Sequence, residues 1–328
     1  MRARCFLFII FDSWLSAVLI TVSSCAIYAG GPGAAPRDHA VQTQMRNVMY
    51  HFSPSISVHI KTLDGQLVPV DASGYPVFDN MDSFVVLVSS AELTVTAADL
   101  ANVLNAYVFA RPVTPLSGLS VSIRNGHINI KGRLHEVGVI PFETEGELSP
   151  TSDGRILLHA TKVRALHVPV KKIMSLFGVE MSDLIKNGKI LGVESREGDV
   201  ILDPALIFPP PHLQGKVTAV RVEGDNIVLT FGDKNQLAKN LQSGNYMSYR
   251  GNRLAFGKLL MSDADMNLID MDSSDPFDFY LEHYKDQLTA GYTKITPAFG
   301  LRVFMKDFNK LGKAAGTTGQ KKLGAATP

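Results

Sequence analysis

Leu119-Ser120-Val121-Ser122-Ile123-Arg124-Asn125-Gly126-His127-Ile128-Asn129-Ile130-Lys131 is the stretch on which the reading of this chain turns. Successive side chains of a strand point to opposite faces, so a period of two marks a half-buried strand. Leu119, Val121 and Ile123 alternate with polar residues, and Ile128 and Ile130 do the same after the break. Asn125-Gly126 supplies the two positive φ angles of a tight type I′ turn. The segment is therefore a hairpin with one apolar face and one wet face.

Working upstream, Phe84–Val88 and Glu92–Val95 read as β-branched strand. Thr96 stands three residues before Asp99, a variant of the capping pattern that opens helices. The spacing predicts a helix to about Phe109, with Leu100, Val103, Leu104 and Tyr107 on one face and Pro112 and Pro115 as stops. Residues 41–82 carry Ser-Pro, Asp64-Gly65 and Ser73-Gly74 turn signals, and read as a small irregular N-terminal subregion.

Downstream, Phe142, Thr144, Gly146 and Leu148 alternate with Glu143, Glu145 and Glu147. Those three carboxylates would repel one another, and Lys131 and Arg133 on the neighbouring strand are their expected partners. Arg155–His167 continues as strand. Pro169 opens a second amphipathic helix that presents Ile173, Met174, Phe177 and Met181. Hairpins follow around Arg196-Glu197-Gly198 and around Glu223-Gly224-Asp225-Asn226, the latter placing Ile227, Leu229 and Phe231 on one face. A helix-plus-hairpin unit used twice accounts for this spacing, as does the general likeness of hairpins. Arg253–Leu268 continues as strand, 272–287 reads as helical after Pro276, and Ile295–Met305 adds a last strand.

The expected fold is α+β, mostly β: a long curved antiparallel sheet wrapped around one or two amphipathic helices. The expected organisation is a leader at 1–29, a flexible tether at 30–40, the subregion at 41–82, a sheet-and-helix domain at 83–305 and a disordered basic tail at 306–328.

Of the 328 residues, 45% are hydrophobic and 19% charged, which excludes wholesale disorder. The formal net charge of +1 gives no global attraction to nucleic acid, so that partner class is not expected. Cys5 and Cys25 both precede the body, which leaves it without a disulfide or a thiolate metal site. Arg2 and Arg4, the apolar run Cys5 to Val22 and the small residues after it form an export-signal pattern. Val22-Ser23-Ser24-Cys25-Ala26 resembles the bacterial lipobox, which would make Cys25 an acylated N-terminus. A cut after Ala29 and a retained signal anchor are the other two outcomes. Each of the three puts the body outside the cytoplasm, in the periplasm or its equivalent, beside a membrane.

No nucleophile elbow, phosphate-binding loop, zinc-protease helix or dinucleotide fingerprint occurs. The histidines His127, His135, His159 and His167 fall in strand-like sequence, mostly on its wet side. Asp263, Asp265, Asn267, Asp270, Asp272, Asp275 and Asp278 form the densest polar constellation. They lack the glycine of a calcium loop, and strand alternation accounts for Asp263, Asp265 and Asn267 as a solvated edge. Catalytic residues, metal and cofactor are accordingly not expected.

Two or three helices cannot cover the apolar faces of roughly ten strands. The space left between sheet and helix suits an acyl chain, each buried methylene contributing roughly 0.8 kcal/mol. Leu100, Val103, Leu104, Tyr107, Ile173, Met174, Phe177 and Met181 would line it from the helices. Val121, Ile123, Ile128, Ile130, Ile227, Leu229 and Phe231 would line it from the sheet.

Leu93-Thr94-Val95-Thr96-Ala97-Ala98-Asp99-Leu100, Val121 to Ile128 and Val193 to Leu202 together resemble the LmeA-like phospholipid-binding family, distant relatives of the tubular lipid-binding superfamily. The resemblance spans Ala91 to about Phe231. It implies an exported protein whose curved sheet wraps a helix and binds phospholipid, with no catalytic signature to carry over. The part from Ser243 falls outside it. A structural envelope scaffold with a closed dry core is the rival reading, and a hydrolase with an unrecognised site is the third.

Overall fold

The computed structural model describes residues 39–110, 116–136, 138–165, 190, 192–196, 199–233 and 243–312. The body is mostly β, with a curled antiparallel sheet forming a half-barrel and a few short helices. Its strands divide between a larger and a smaller sheet.

The larger sheet begins with β1 (Val41–Ser53), β2 (Ile56–Pro69) and β3 (Phe84–Thr96). Next come α1 (Ala97–Val103) and a π-helical turn at Leu104–Val108. The smaller sheet contains β4 (Leu116–Arg124), β5 (His127–Glu136), β6 (Gly138–Pro150), β7 (Ile156–Ala165), β8 (Val193–Arg196) and β9 (Asp199–Leu202), in the order β4-β5-β6-β7-β9-β8. After the short α2 (Pro204–Ile207), the chain returns to the larger sheet through β10 (Leu213–Gln214), β11 (Val217–Glu223), β12 (Asn226–Gly232) and β13 (Tyr246–Arg250). A separate small hairpin pairs β14 (Leu254–Phe256) with β15 (Leu259–Met261). The chain then runs through β16 (Asp265–Asp270), β17 (Phe277–Tyr280), α3 (Tyr284–Thr289), β18 (Tyr292–Ile295) and β19 (Leu301–Met305). The larger sheet is ordered β11-β12-β3-β2-β1-β13-β16-β19-β18, with β10 beside β3 and β17 beside β1.

The local signals fold as their chemistry dictates. Asn125 and Gly126 take φ of 54° and 78° at the β4–β5 turn. The Thr96 hydroxyl accepts from the Asp99 amide at 3.0 Å and caps α1.

Three expectations are corrected. Residues 41–82 are not an irregular subregion, because β1 and β2 are the central strands of the larger sheet. Their alternation was hidden by a change of parity. Val41, Thr43 and Met45 are buried in the first half of β1, and Val48, Tyr50 and Phe52 in the second. The slip falls at Asn47, whose φ is 50°. Second, 277–280 is a strand and not helix. All four residues of β17 are buried, and the strand runs parallel to the second half of β1. A strand covered on both faces loses its period of two. Third, residues 306–312 belong to the body. Gln287 Nε2 donates to the Lys306 carbonyl at 2.9 Å, and the Asp278 amide donates to the buried Asp307 carboxylate at 2.8 Å.

Leader, Cys25, second helix (Ile173, Met174, Phe177 and Met181) and residues 313–328 lie outside the described residues.

Candidate functional site

Two polar anchors fix the helix against its neighbours. The Asp99 carboxylate accepts from the Ser57 amide at 3.1 Å and hydroxyl at 3.0 Å, tying the start of α1 to β2. One turn past α1, Asn105 imitates a strand neighbour. Its Nδ2 donates to the Leu119 carbonyl at 2.6 Å, and its Oδ1 accepts from the Leu119 amide at 2.9 Å. This pair of hydrogen bonds holds the helix end against β4.

Between that helical segment and the smaller sheet lies an apolar cleft of about 640 Å³, counting the part open to solvent. Leu100, Leu104 and Phe109 line one side. Leu116, Leu119, Ile128, Ile130, Phe142, Leu148, Leu158, Val193, Val200 and Leu202 come from all six strands of the smaller sheet, with Thr144 the single polar residue. The Thr144 hydroxyl donates to the Lys162 carbonyl at 3.2 Å, within the sheet.

The opposite face of β6 is charged. Glu143 meets Lys131 at 3.4 Å, Glu145 meets Lys162 at 2.9 Å and Glu147 meets His127 at 3.5 Å. The hydrogen bond from Lys162 is the first cause that lowers the Glu145 carboxyl below its ordinary range. Lys131 thus pairs as expected, whereas Arg133 lies opposite Pro141. The two faces of one strand explain the cleft: glutamates hold the wet side, and Phe142 and Leu148 are left to face inward.

Of the residues expected to line a slot, Leu100, Leu104, Ile128 and Ile130 meet in the cleft. Val103 is fully buried in the core beside it, and Tyr107, Val121 and Ile123 pack partly buried against that core without reaching the wall. Ile227, Leu229 and Phe231 are corrected outright. They pair with Val95, Leu93 and Ala91 and belong to the core of the larger sheet. The alternation correctly marked them as inward-facing; it could not tell which sheet they joined. The cleft residues missed by the sequence were legible in part, since Phe142 and Leu148 stand at the apolar positions of an alternating strand.

A second, nearly filled apolar pocket is lined by Met45, Tyr50, Phe52, Leu63, Leu67 and Tyr249 among others. Rings fill much of the surrounding space: Phe78 touches Phe84, Tyr249, Phe256 and Tyr284 at centroid distances of 5.2 to 6.1 Å. Burial alone drives the Tyr50 phenol far above its ordinary range.

Asp272, Asp275 and Asp307 converge closely enough to hold a cation. The Lys310 ammonium supplies one, at 2.8, 2.8 and 2.9 Å from the three. Asn267, expected on a solvated edge, is buried in β16. Ser117 Oγ lies 2.6 Å from His135 Nε2, the only feature among the described residues approaching a nucleophile and base in a hydrogen bond. Among the described residues no carboxylate bonds the other nitrogen of His135, and a triad needs one to orient the ring.

No family model matches the chain. No curated protein and no solved structure matches it significantly.

Proposed function

We propose that this is an exported protein that binds phospholipid, or another long apolar ligand, in the cleft between α1 and the smaller sheet. The observation that carries the reading is the composition of the cleft wall. Thirteen apolar side chains and one threonine form it, and ligand sites are lined mainly by apolar side chains with few polar groups. A wall of that kind offers nothing to a polar substrate, and it gains roughly 0.8 kcal/mol for each methylene it removes from water. The ligand headgroup would stay at the mouth, in water. The leader pattern and the resemblance to LmeA-like proteins support the same reading, with the protein working beside a membrane and transferring lipid or maintaining the envelope.

The scaffold reading has one observation in its favour, the ring-filled interior of the half-barrel. Organic extraction of the purified protein followed by mass spectrometry separates the two. Stoichiometric lipid is expected, and Ile130→Trp, which pushes a larger side chain into the cleft, should abolish it while leaving the urea midpoint nearly unchanged. A clean extract from the unmodified protein would favour the scaffold.

A further inference from the structure

We propose that β18, the outer strand of the larger sheet, is the contact through which two copies of this chain pair edge to edge about a two-fold axis. The proposal does not rest on the ligand cleft, which α1 and the smaller sheet form.

Other sheet edges in the molecule are occupied. At β4 the Asn105 side chain bonds both backbone groups of Leu119. At β11 the Val217 amide donates to the Gly154 carbonyl at 2.9 Å, so the β6–β7 turn covers the start of that strand. β18 pairs with β19 on one side, and among the described residues no strand lies on the other. All four of its residues are exposed, Ile295 at 73%. An open edge is a template for another strand, and chains commonly guard it with a charge. Lys294, the one charge on β18, is drawn over the sheet face instead, with its ammonium 5.4 Å from the ring centres of both Tyr292 and Phe304.

The ladder sets what the edge offers. The Thr296 amide donates to the Gly300 carbonyl at 2.7 Å. Hydrogen-bonded and non-hydrogen-bonded pairs alternate along an antiparallel ladder, so Lys294 with Arg302 and Tyr292 with Phe304 are the pairs that bond across to β19. Thr293 and Ile295 are left with their N–H and C=O groups turned outward.

The occupant follows from the pairing that these residues permit. Centring a two-fold axis on Lys294 would set two ammonium groups against each other, which is unfavourable. Centring it on Thr293 lets two copies of that residue exchange N–H···O=C bonds, and it sets Lys294 of each copy opposite Tyr292 of the other. Those are non-hydrogen-bonded positions, at which opposed side chains come closest. Tyr292 stacks on Phe304 at 4.6 Å and is still 45% exposed, so an incoming lysine meets a ring already held for a cation–π contact. Ile295 then falls opposite Gly291 of the second copy, where no side chain competes for the space. The edge thus complements itself, as a two-fold interface requires. Four residues make a small contact, and interfaces under roughly 1,200 Å² are weak. The dimer is accordingly reversible and grows with concentration.

The test follows sedimentation of the full chain over a series of concentrations, and a monomer–dimer equilibrium is expected. Thr293→Pro removes the outward amide and should abolish the dimer. Tyr292→Lys sets ammonium against ammonium and should abolish it as well, as should Tyr292→Glu combined with Lys294→Glu. Mixing the lysine variant with the double glutamate variant should restore a one-to-one dimer. Position is read by Thr293→Cys, which brings two thiols to the axis at about 5.5 Å between Cα atoms, within disulfide reach. The cross-linked peptide is identified by mass spectrometry, with Ser55→Cys on the exposed β1–β2 turn as the control. Should the charged variants fail to fold, the cross-link at 293 decides alone. A chain that stays monomeric, an association that survives Thr293→Pro and Tyr292→Lys, or cross-linking no faster at 293 than at 55 would each overturn the proposal. None of these outcomes bears on the lipid extraction, so the two readings fail separately.

Discussion

Asn105 joins the helical segment to β4 through a single side chain. Its amide satisfies both backbone groups of Leu119, the hydrogen-bonding residue of an irregular strand. Asn105→Leu would keep the volume and leave an N–H and a C=O without those partners. Unsatisfied groups of this kind cost about 1–3 kcal/mol each. The substitution is expected to lower stability by about 2 kcal/mol or more in urea unfolding, and to lower the lipid content of the purified protein as α1 drifts from β4. Nothing in the sequence points to this role. A lone asparagine in a helix reads as surface, and its partner lies 14 residues further on. The Lys310 clasp was equally hidden, because it joins a segment read as tail to two aspartates of a loop. Hydrogen bonding by Lys310 holds the Asp272 carboxyl well below its ordinary range. A depressed carboxyl contributes stability above its unfolded pKa, and the contribution is lost as pH falls through the folded value. The clasp's contribution should therefore be complete above about pH 4, the ordinary carboxylate value, shrink below it, and vanish only once the pH has fallen through the depressed Asp272 value. Hydrogen exchange at the Lys310 amide, bonded to the Asp307 carbonyl at 3.1 Å, reports the opening. Lys310→Met should make that amide exchange faster already at neutral pH, and adding Asp307→Asn should restore part of the protection.

Elements were legible where one pattern governed them throughout. The β4–β5 hairpin, the start of α1 and the charged face of β6 each follow from a fixed period and a turn or cap of known chemistry. Thr96→Ala removes the cap and is expected to cost about 1 kcal/mol. The loss should be read from the urea midpoint and not from the extent of ligand binding, because Asp99 still bonds Ser57. Elements were lost where the pattern broke midway or was absent. β1 changes its buried parity at Asn47, so neither half is long enough to declare a strand alone. β17 is Phe277-Asp278-Phe279-Tyr280, in which an aspartate occupies a fully covered position. Asp278 is tolerated there because the Asn309 amide at 3.3 Å and His51 supply its partners. A sequence scan sees only the charge.

At the scale of the molecule, class was legible and assembly was not. The alternation forecast a mostly β body with more apolar face than helices could cover. It did not forecast two sheets, and so it spread the expected lining over both. Which strands share a sheet is decided by partners far apart in sequence. The π-helical turn after α1 and the Asn105 bonds steer the chain out of the larger sheet after β3, and β10 returns it beside that same strand.

β1 makes the cost of this plan visible. One of its edges zips to β2 after a turn of two residues. The other needs Tyr246–Arg250 and Phe277–Tyr280, which lie about two hundred residues further along. Loops of that length close slowly, because entropy must be surrendered before any contact rewards it. A nascent chain would thus emerge with its central strand half clothed and wait for the last third to be synthesised. Chains stopped before Asp265 should remain protease-sensitive in pulse proteolysis, and those extended through Leu311 should become resistant. Until that last third is made, one edge of the central strand lies bare to any strand it meets.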